Sequence, residues 1–146
     1  MSSPIGAGEL HHVGIAVPSI EAALRLYRDT LGFTPREIRD VPDQRVRVVF
    51  VAAGDSLIEL IEPLDDASGV ARFLAQRGKA TLHHLCFVVD DLGGVLRDLA
   101  ARGVELVDRE PRRGADGDVA FLQPRAGDGV LIELIDRATI AAELRP

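Results

Sequence analysis

Leu10-His11-His12-Val13 and Leu82-His83-His84-Leu85 decide how this chain is read. The two His-His pairs lie 72 residues apart, counted from His12 to His84. Each opens an apolar run, Val13-Gly14-Ile15-Ala16-Val17 after the first and Leu85-Cys86-Phe87-Val88-Val89 after the second. A second echo lies downstream. Leu57-Ile58-Glu59-Leu60-Ile61 returns as Leu131-Ile132-Glu133-Leu134-Ile135, 74 residues on from Glu59 to Glu133. The chain is one unit written twice, and each copy carries a His and a Glu inside a strand. Repetition of this kind governs fold and site together.

The first copy begins with a strand over 10–17, rich in β-branched residues. Ser19, after Pro18, is placed to cap a helix. Ile20, Leu24, Tyr27 and Leu31 then recur at helical spacing, and Gly32 stops them. Strands over 33–41 and 46–51 meet at a Pro42-Asp43 turn, and Gly54-Asp55 turns the chain into a strand over 57–62. This is β-α-β-β-β. After a loop at 63–67, Ser68 caps a short helix carrying Val70, Phe73 and Leu74, stopped at Gly78. The second copy repeats the order: a strand over 82–89, then a helix starting at Asp90-Asp91 with Leu92, Val95, Leu96 and Leu99 inward, ended by Gly103. Strands follow near 104–107, 119–122 and 130–135, with a Gly- and Arg-rich loop at 111–118. Residues 137–146 predict a final short helix, and residues 1–8 a loose tail. The expected class is α+β: one domain over 1–146, built of βαβββ modules at 9–63 and 81–136, a linking helix at 64–80 and a tail at 137–146. The modules are expected to pair into one curved mixed sheet with a site in its concave face.

A length of 146 residues suits one domain with a sound core. A net charge of −6 argues against general nucleic-acid binding, which needs a basic face. Cys86 is the only cysteine, so no internal disulfide forms and a reducing compartment fits. The first residues are short and polar, unlike a signal peptide, and no apolar run approaches the ~20 residues of a membrane span. The expectation is a cytoplasmic protein with neither a membrane nor a nucleic-acid partner.

Side chains alternate across a strand. Leu10, His12, Gly14 and Ala16 therefore share one face of the first strand, and His84 and Cys86 share one face of its echo. His11 and His83 fall on the opposite faces and are expected to be structural. Glu59 and Glu133 each sit between two bulky apolar residues, where burial is costly unless the carboxylate is paired or binds a cation. A single strand His or Glu has an ordinary explanation in packing or solvent exposure. Two of each, in matching places, share a cause. Two imidazoles and two carboxylates suit a divalent metal such as Co, Ni, Mn or Zn. Four ligands leave about two positions of a six-coordinate ion open to a substrate that chelates through two oxygens. Cys86 is expected to be a small core residue. Asp116, Asp118 and Asp128, in Gly-rich loops, are expected to serve turns.

The paired β-α-β-β-β units with His and Glu resemble the vicinal-oxygen-chelate superfamily of glyoxalases, bleomycin resistance proteins and dioxygenases. Glu59-Leu60-Ile61-Glu62-Pro63-Leu64, Ser68-Gly69-Val70-Ala71-Arg72-Phe73-Leu74 and Asp108-Arg109-Glu110-Pro111-Arg112 are similar to stretches of the methylmalonyl-CoA epimerase family. The likeness runs over residues 9–136. It implies a metal held by His12, Glu59, His84 and Glu133 and an acyl-CoA substrate chelated by its carboxylate and thioester oxygens. It also implies a homodimer and Glu133 as the base that removes an α-proton. Some of that family carry a second glutamate where Val48 stands here; Glu59, the internal mate of Glu133, is the candidate in its place. The family's Gly-Ala-His-Gly loop reads Gly114-Ala115-Asp116-Gly117. Lys79, Arg112, Arg113 and Arg125 are the cations available to a phosphorylated carrier. The alternatives are a glyoxalase-I-like lyase with the same ligands, a non-catalytic binding or resistance protein on the same scaffold, and, less well matched, an Fe(II) dioxygenase with one carboxylate ligand.

Overall fold

A computed structural model describes residues 8–145. Apart from Gly8, the tail expected over residues 1–8 lies outside the described residues, as does Pro146. The chain divides into two compact units. One is His12–His83; the other joins the described residues up to His11 with those from His84 onward. Both His-His pairs are therefore split by the division.

In the His12–His83 unit, β1 (Leu10–Ala16) leads to Ser19, whose hydroxyl accepts the Ala22 N–H and starts α1 (Ile20–Leu24). An α-helix running to Leu31 was the expectation. Instead the backbone widens into a π-helical turn over Arg25–Thr30. The Thr30 hydroxyl donates to the Arg25 carbonyl at 3.0 Å, and the Leu31 N–H to the Leu26 carbonyl at 2.8 Å. Both bonds reach back five residues, one more than an α-helix allows. Gly32, at φ 78°, ends the turn. The strand expected over 33–41 is two short pieces, β2 (Thr34–Pro35) and β3 (Arg39–Val41), with one further ladder bond from the Arg36 N–H to the Phe50 carbonyl at 2.7 Å. β4 (Val46–Ala53) pairs antiparallel with both and with β5 (Ser56–Pro63), which runs parallel to β1. α2 (Gly69–Arg77) follows, capped by Ser68 and stopped by Gly78 at φ 73°.

In the other unit, β6 (Thr81–Val89) leads to α3 (Leu92–Ala101), whose Asp91 carboxylate accepts the Gly94 N–H. β7 (Arg112–Arg113), β8 (Asp118–Phe121) and β9 (Leu131–Asp136) complete the set. β6 pairs parallel with β9, and β9 and β7 pair antiparallel with β8. The strand expected near 104–107 is reduced to one bridge, Leu106 to Leu122. Pairing ends there because the Asp108 carboxylate takes the Phe121 N–H at 2.9 Å. β7 lies inside the stretch read as a loop.

The two cores repeat one another. Val17, Ile20, Leu24, Val49, Val51 and Leu60 are buried together in the first unit, with Ile15, Ala23, Tyr27 and Ile58 packed on them. Val89, Leu92, Val95, Leu96, Ala120 and Leu134 are buried together in the second, with Phe87, Leu99, Leu122 and Ile132. Ile20 answers to Leu92, Leu24 to Leu96, Tyr27 to Leu99 and Leu60 to Leu134. Each fully buried aliphatic side chain contributes about 1.5–3 kcal/mol, so each helix is fixed on the strands of its own unit by the same set of positions. A polar device repeats as well. The Glu62 carboxylate, near the end of β5, accepts the Ile20 N–H at 2.9 Å, and the Asp136 carboxylate, at the end of β9, accepts the Leu92 N–H at 3.1 Å. Both satisfy a donor that a helix start leaves open and place negative charge at its positive end.

The expected C-terminal helix is two 3-10 turns, Arg137–Thr139 and Ala142–Leu144. Buried Ile140 lies between them in extended conformation and interrupts the coil. Among the described residues no helix is long and apolar enough to cross a membrane.

Candidate metal centre

The strand register places the acids. In the first unit Glu59 of β5 lies opposite Gly14 of β1 on one side and Phe50 of β4 on the other. Glycine presents no side chain there, so the carboxylate reaches His12, two residues before Gly14 on the same face. His12 Nε2 and Glu59 Oε1 are 3.5 Å apart. In the second unit Glu133 of β9 lies opposite Cys86 of β6 and Phe121 of β8. His84 Nε2 and Glu133 Oε1 are 3.2 Å apart. His12, Glu59, His84 and Glu133 are 1, 7, 4 and 6% exposed. The four residues singled out in the sequence thus form two buried imidazole–carboxylate pairs, one in each unit.

The donor set fits a divalent cation. Two ligands at about 2.1 Å from one ion stand about 3.0 Å apart at a right angle and about 3.4 Å apart at a tetrahedral angle. The His84–Glu133 pair, at 3.2 Å, falls inside that range, and the His12–Glu59 pair, at 3.5 Å, just above it. A buried carboxylate also carries a charge that a cation would offset.

The remaining residues sort differently from one another. The His11 Nε2–H donates to the Leu144 carbonyl at 2.8 Å, a structural role. The His83 ring meets Phe73 edge to face at 4.9 Å, and the Arg77 guanidinium covers that phenyl ring at 4.9 Å. Cys86 is fully buried. Asp128 adopts the left-handed conformation of a turn, φ 54°. Asp118 belongs to β8 rather than a loop, its carboxylate 3.3 Å from Arg113. Asp116 departs from the expectation of a surface turn. It is 4% exposed, and its carboxylate comes within 4.8 Å of donor atoms of His11 and Cys86. The chain is pressed inward there, since Gly117 approaches Thr139 so closely that a Cβ would lie 3.0 Å from its carbonyl oxygen.

Of the cations, Arg113 and Arg125 face Asp118 and Glu105, and Arg112 lies 3.5 Å from Asp108 with its guanidinium over Phe121 at 5.3 Å. Phe50 and Phe121 were missed as parts of the site. Phe50 meets the His12 ring edge to face at 5.2 Å, and Phe121 meets His84 in the same way at 6.2 Å. The signal that could have found them is their placement, each in the strand before its glutamate, 71 residues apart.

Comparison with known proteins adds three findings. Residues 11–122 match the Glyoxalase/Bleomycin resistance protein/Dioxygenase superfamily. The ethylmalonyl-CoA/methylmalonyl-CoA epimerase of Cereibacter sphaeroides is 40% identical over 129 residues, 87% of this chain and 96% of that protein. Two solved structures are similar to the fold. The methylmalonyl-CoA epimerase of Mycobacterium tuberculosis has a TM-score of 0.85 at 35% identity, over 99% of this chain and 95% of its own. A methylmalonyl-CoA epimerase in complex with methylmalonyl-CoA and NH4+ has a TM-score of 0.84 at 31% identity, over 92% and 98%.

Proposed function

Because the chain belongs to the glyoxalase/bleomycin resistance protein/dioxygenase superfamily, we propose that it is a metal-dependent epimerase that interconverts (2R)- and (2S)-methylmalonyl-CoA. The reading is carried by the duplicated pair: one buried imidazole and one buried carboxylate at ligand separation in each copy. It is supported by epimerases similar over nearly the whole chain. In this reading His12, Glu59, His84 and Glu133 together hold one Co, Ni, Mn or Zn ion. When bound, the ion supplies a positive charge that polarises the thioester carbonyl of the substrate.

The chain's own groups move the proton. Glu133 directs Oε1 at His84, and its other oxygen takes the proton from the α-carbon. The C–H electron pair passes into the thioester carbonyl, giving an enolate. Glu59, with Oε1 toward His12, carries a proton on its other oxygen and delivers it to the opposite face. The electron pair returns to carbon, and the configuration is inverted. Glu133 ends protonated and Glu59 ionised, the state needed for the reverse direction, and exchange with water resets both. Val48 offers no proton, so this scheme rests on the two glutamates of the repeat.

The test is methylmalonyl-CoA incubated with Co²⁺-loaded protein in deuterated water, beside a hemithioacetal. The expected result is deuterium at the α-carbon and loss of optical purity, with the hemithioacetal untouched. Glu133→Gln should slow the exchange by about 10²–10⁴-fold, the usual contribution of a positioned base. Turnover of the hemithioacetal in its place would assign the site to a lyase, and exchange unaffected by the substitution would reject Glu133 as the base.

A further inference from the structure

We propose that Phe50 and Phe121 are positioning residues that fix the planes of the His12 and His84 imidazoles, and that Arg112 and Asp108 clamp the Phe121 ring in place. The inference rests on the metal-binding reading above. A strand imidazole is free to turn about its last side-chain bond, and a nitrogen that turns away from its neighbouring carboxylate no longer shares an ion with it. Each half of the chain supplies a stop against that rotation. Directly opposed residues of an antiparallel ladder project to the same face. Phe50 opposite Glu59, and Phe121 opposite Glu133, are therefore brought to the side occupied by the imidazole. The interplanar angles are 81° for His12–Phe50 and 83° for His84–Phe121, the edge-to-face geometry that aromatic quadrupoles favour.

The two stops are held differently. Phe50 is 4% exposed and needs no further support. Phe121 is only half-buried, and a second group covers it. The Arg112 guanidinium lies 5.3 Å from the ring centroid, within the range of a cation–π contact. Arg112 Nε is 3.5 Å from Asp108 Oδ2, and that same oxygen accepts the Phe121 N–H at 2.9 Å. One carboxylate thus ties down both the backbone beneath the ring and the cation above it. Arg112 is the one cation of the 111–118 segment turned onto an aromatic ring, which separates it from the surface pair of Arg113 with Asp118.

The experiment has one readout without metal and one with it. In metal-free protein the His84 ring protons feel the Phe121 ring current. Phe121→Leu should remove that NMR shift, and Phe121→Tyr should keep it. In Co²⁺ titrations followed by visible absorption, Phe121→Leu should weaken binding about 10-fold, as loss of a group orienting a metal-ligating histidine does. Phe121→Tyr should restore it, and Phe50→Leu should behave like Phe121→Leu. Arg112→Met, a half-exposed site that leaves the core intact, should weaken Co²⁺ binding about 3-fold, a part of that effect. It decides the matter if Phe121→Leu fails to fold. Co²⁺ binding and absorption unchanged in Phe121→Leu and Arg112→Met overturn the inference and leave the function standing. A wild-type protein that takes up no Co²⁺ overturns both.

Discussion

At the scale of single residues, the proposed chemistry rests on the buried pairs His12–Glu59 and His84–Glu133. Because a ligand that binds only the folded state stabilises it, Co²⁺ at about 100 times its dissociation constant should add about 2.7 kcal/mol of stability. His84→Ala should leave the metal-free protein folded and abolish most of that increment; thermal unfolding with Co²⁺ and with a chelator measures both. A melting temperature raised equally in the variant would remove His84 from the ligand set. These four residues were legible because the repeat shows each of them twice, and an acid between bulky apolar neighbours needs a reason. Phe50 and Phe121 were not, since an aromatic residue in an apolar strand already has a sufficient explanation in the core. Asp116 was hidden by its glycines, which signal a turn but not the close contact with Thr139 that drives the carboxylate inward.

Among the elements, the repeated acid at the end of the last strand of each copy has a clear stabilising role. Glu62→Ala removes the acceptor for the Ile20 N–H, and Asp136→Ala removes the one for Leu92. Each should cost about 1 kcal/mol, the usual value of a lost helix-start acceptor. Asp136→Ala should cost the more, because the same side chain also accepts the Ala138 N–H at 3.0 Å. Urea midpoints at unchanged slope give the comparison, and equal midpoints would contradict it. Helix starts and stops were readable at Ser19, Gly32, Ser68, Gly78 and Gly103, because caps are local. The π-helical turn was not, since it depends on which carbonyl the Thr30 hydroxyl selects. Nor was the loss of the strand near 104–107, since Asp108 competes for a Phe121 N–H that lies far off in sequence.

For the molecule as a whole, the prediction concerns its two cores. Leu60→Ala and Leu134→Ala should each cost about 2–5 kcal/mol, and because the buried clusters share no residue the costs should nearly sum in the double variant. The assembly that the family resemblance implies is a homodimer. β2 and β7 are sheet edges of two residues each, and Leu26, Leu31, Ile38, Val107 and Val130 leave apolar surface exposed. Light scattering at micromolar concentration should return twice the chain mass of 15.7 kDa. The class of fold was readable because a doubled β-α-β-β-β pattern leaves few arrangements. The register was not, and with it went the neighbours of the two acids. That register also shows where the two copies differ in length. Phe50 and Glu59 are nine positions apart and Phe121 and Glu133 twelve, although both pairs face each other across equivalent ladders. The second hairpin is therefore three residues longer than the first. The difference is absorbed at the tip, where the tight turn at Gly54 answers to the longer one around Pro124–Gly127. The spans from histidine to phenylalanine, 38 residues from His12 to Phe50 and 37 from His84 to Phe121, nearly agree, so an inserted residue should be absorbed most cheaply in that tip.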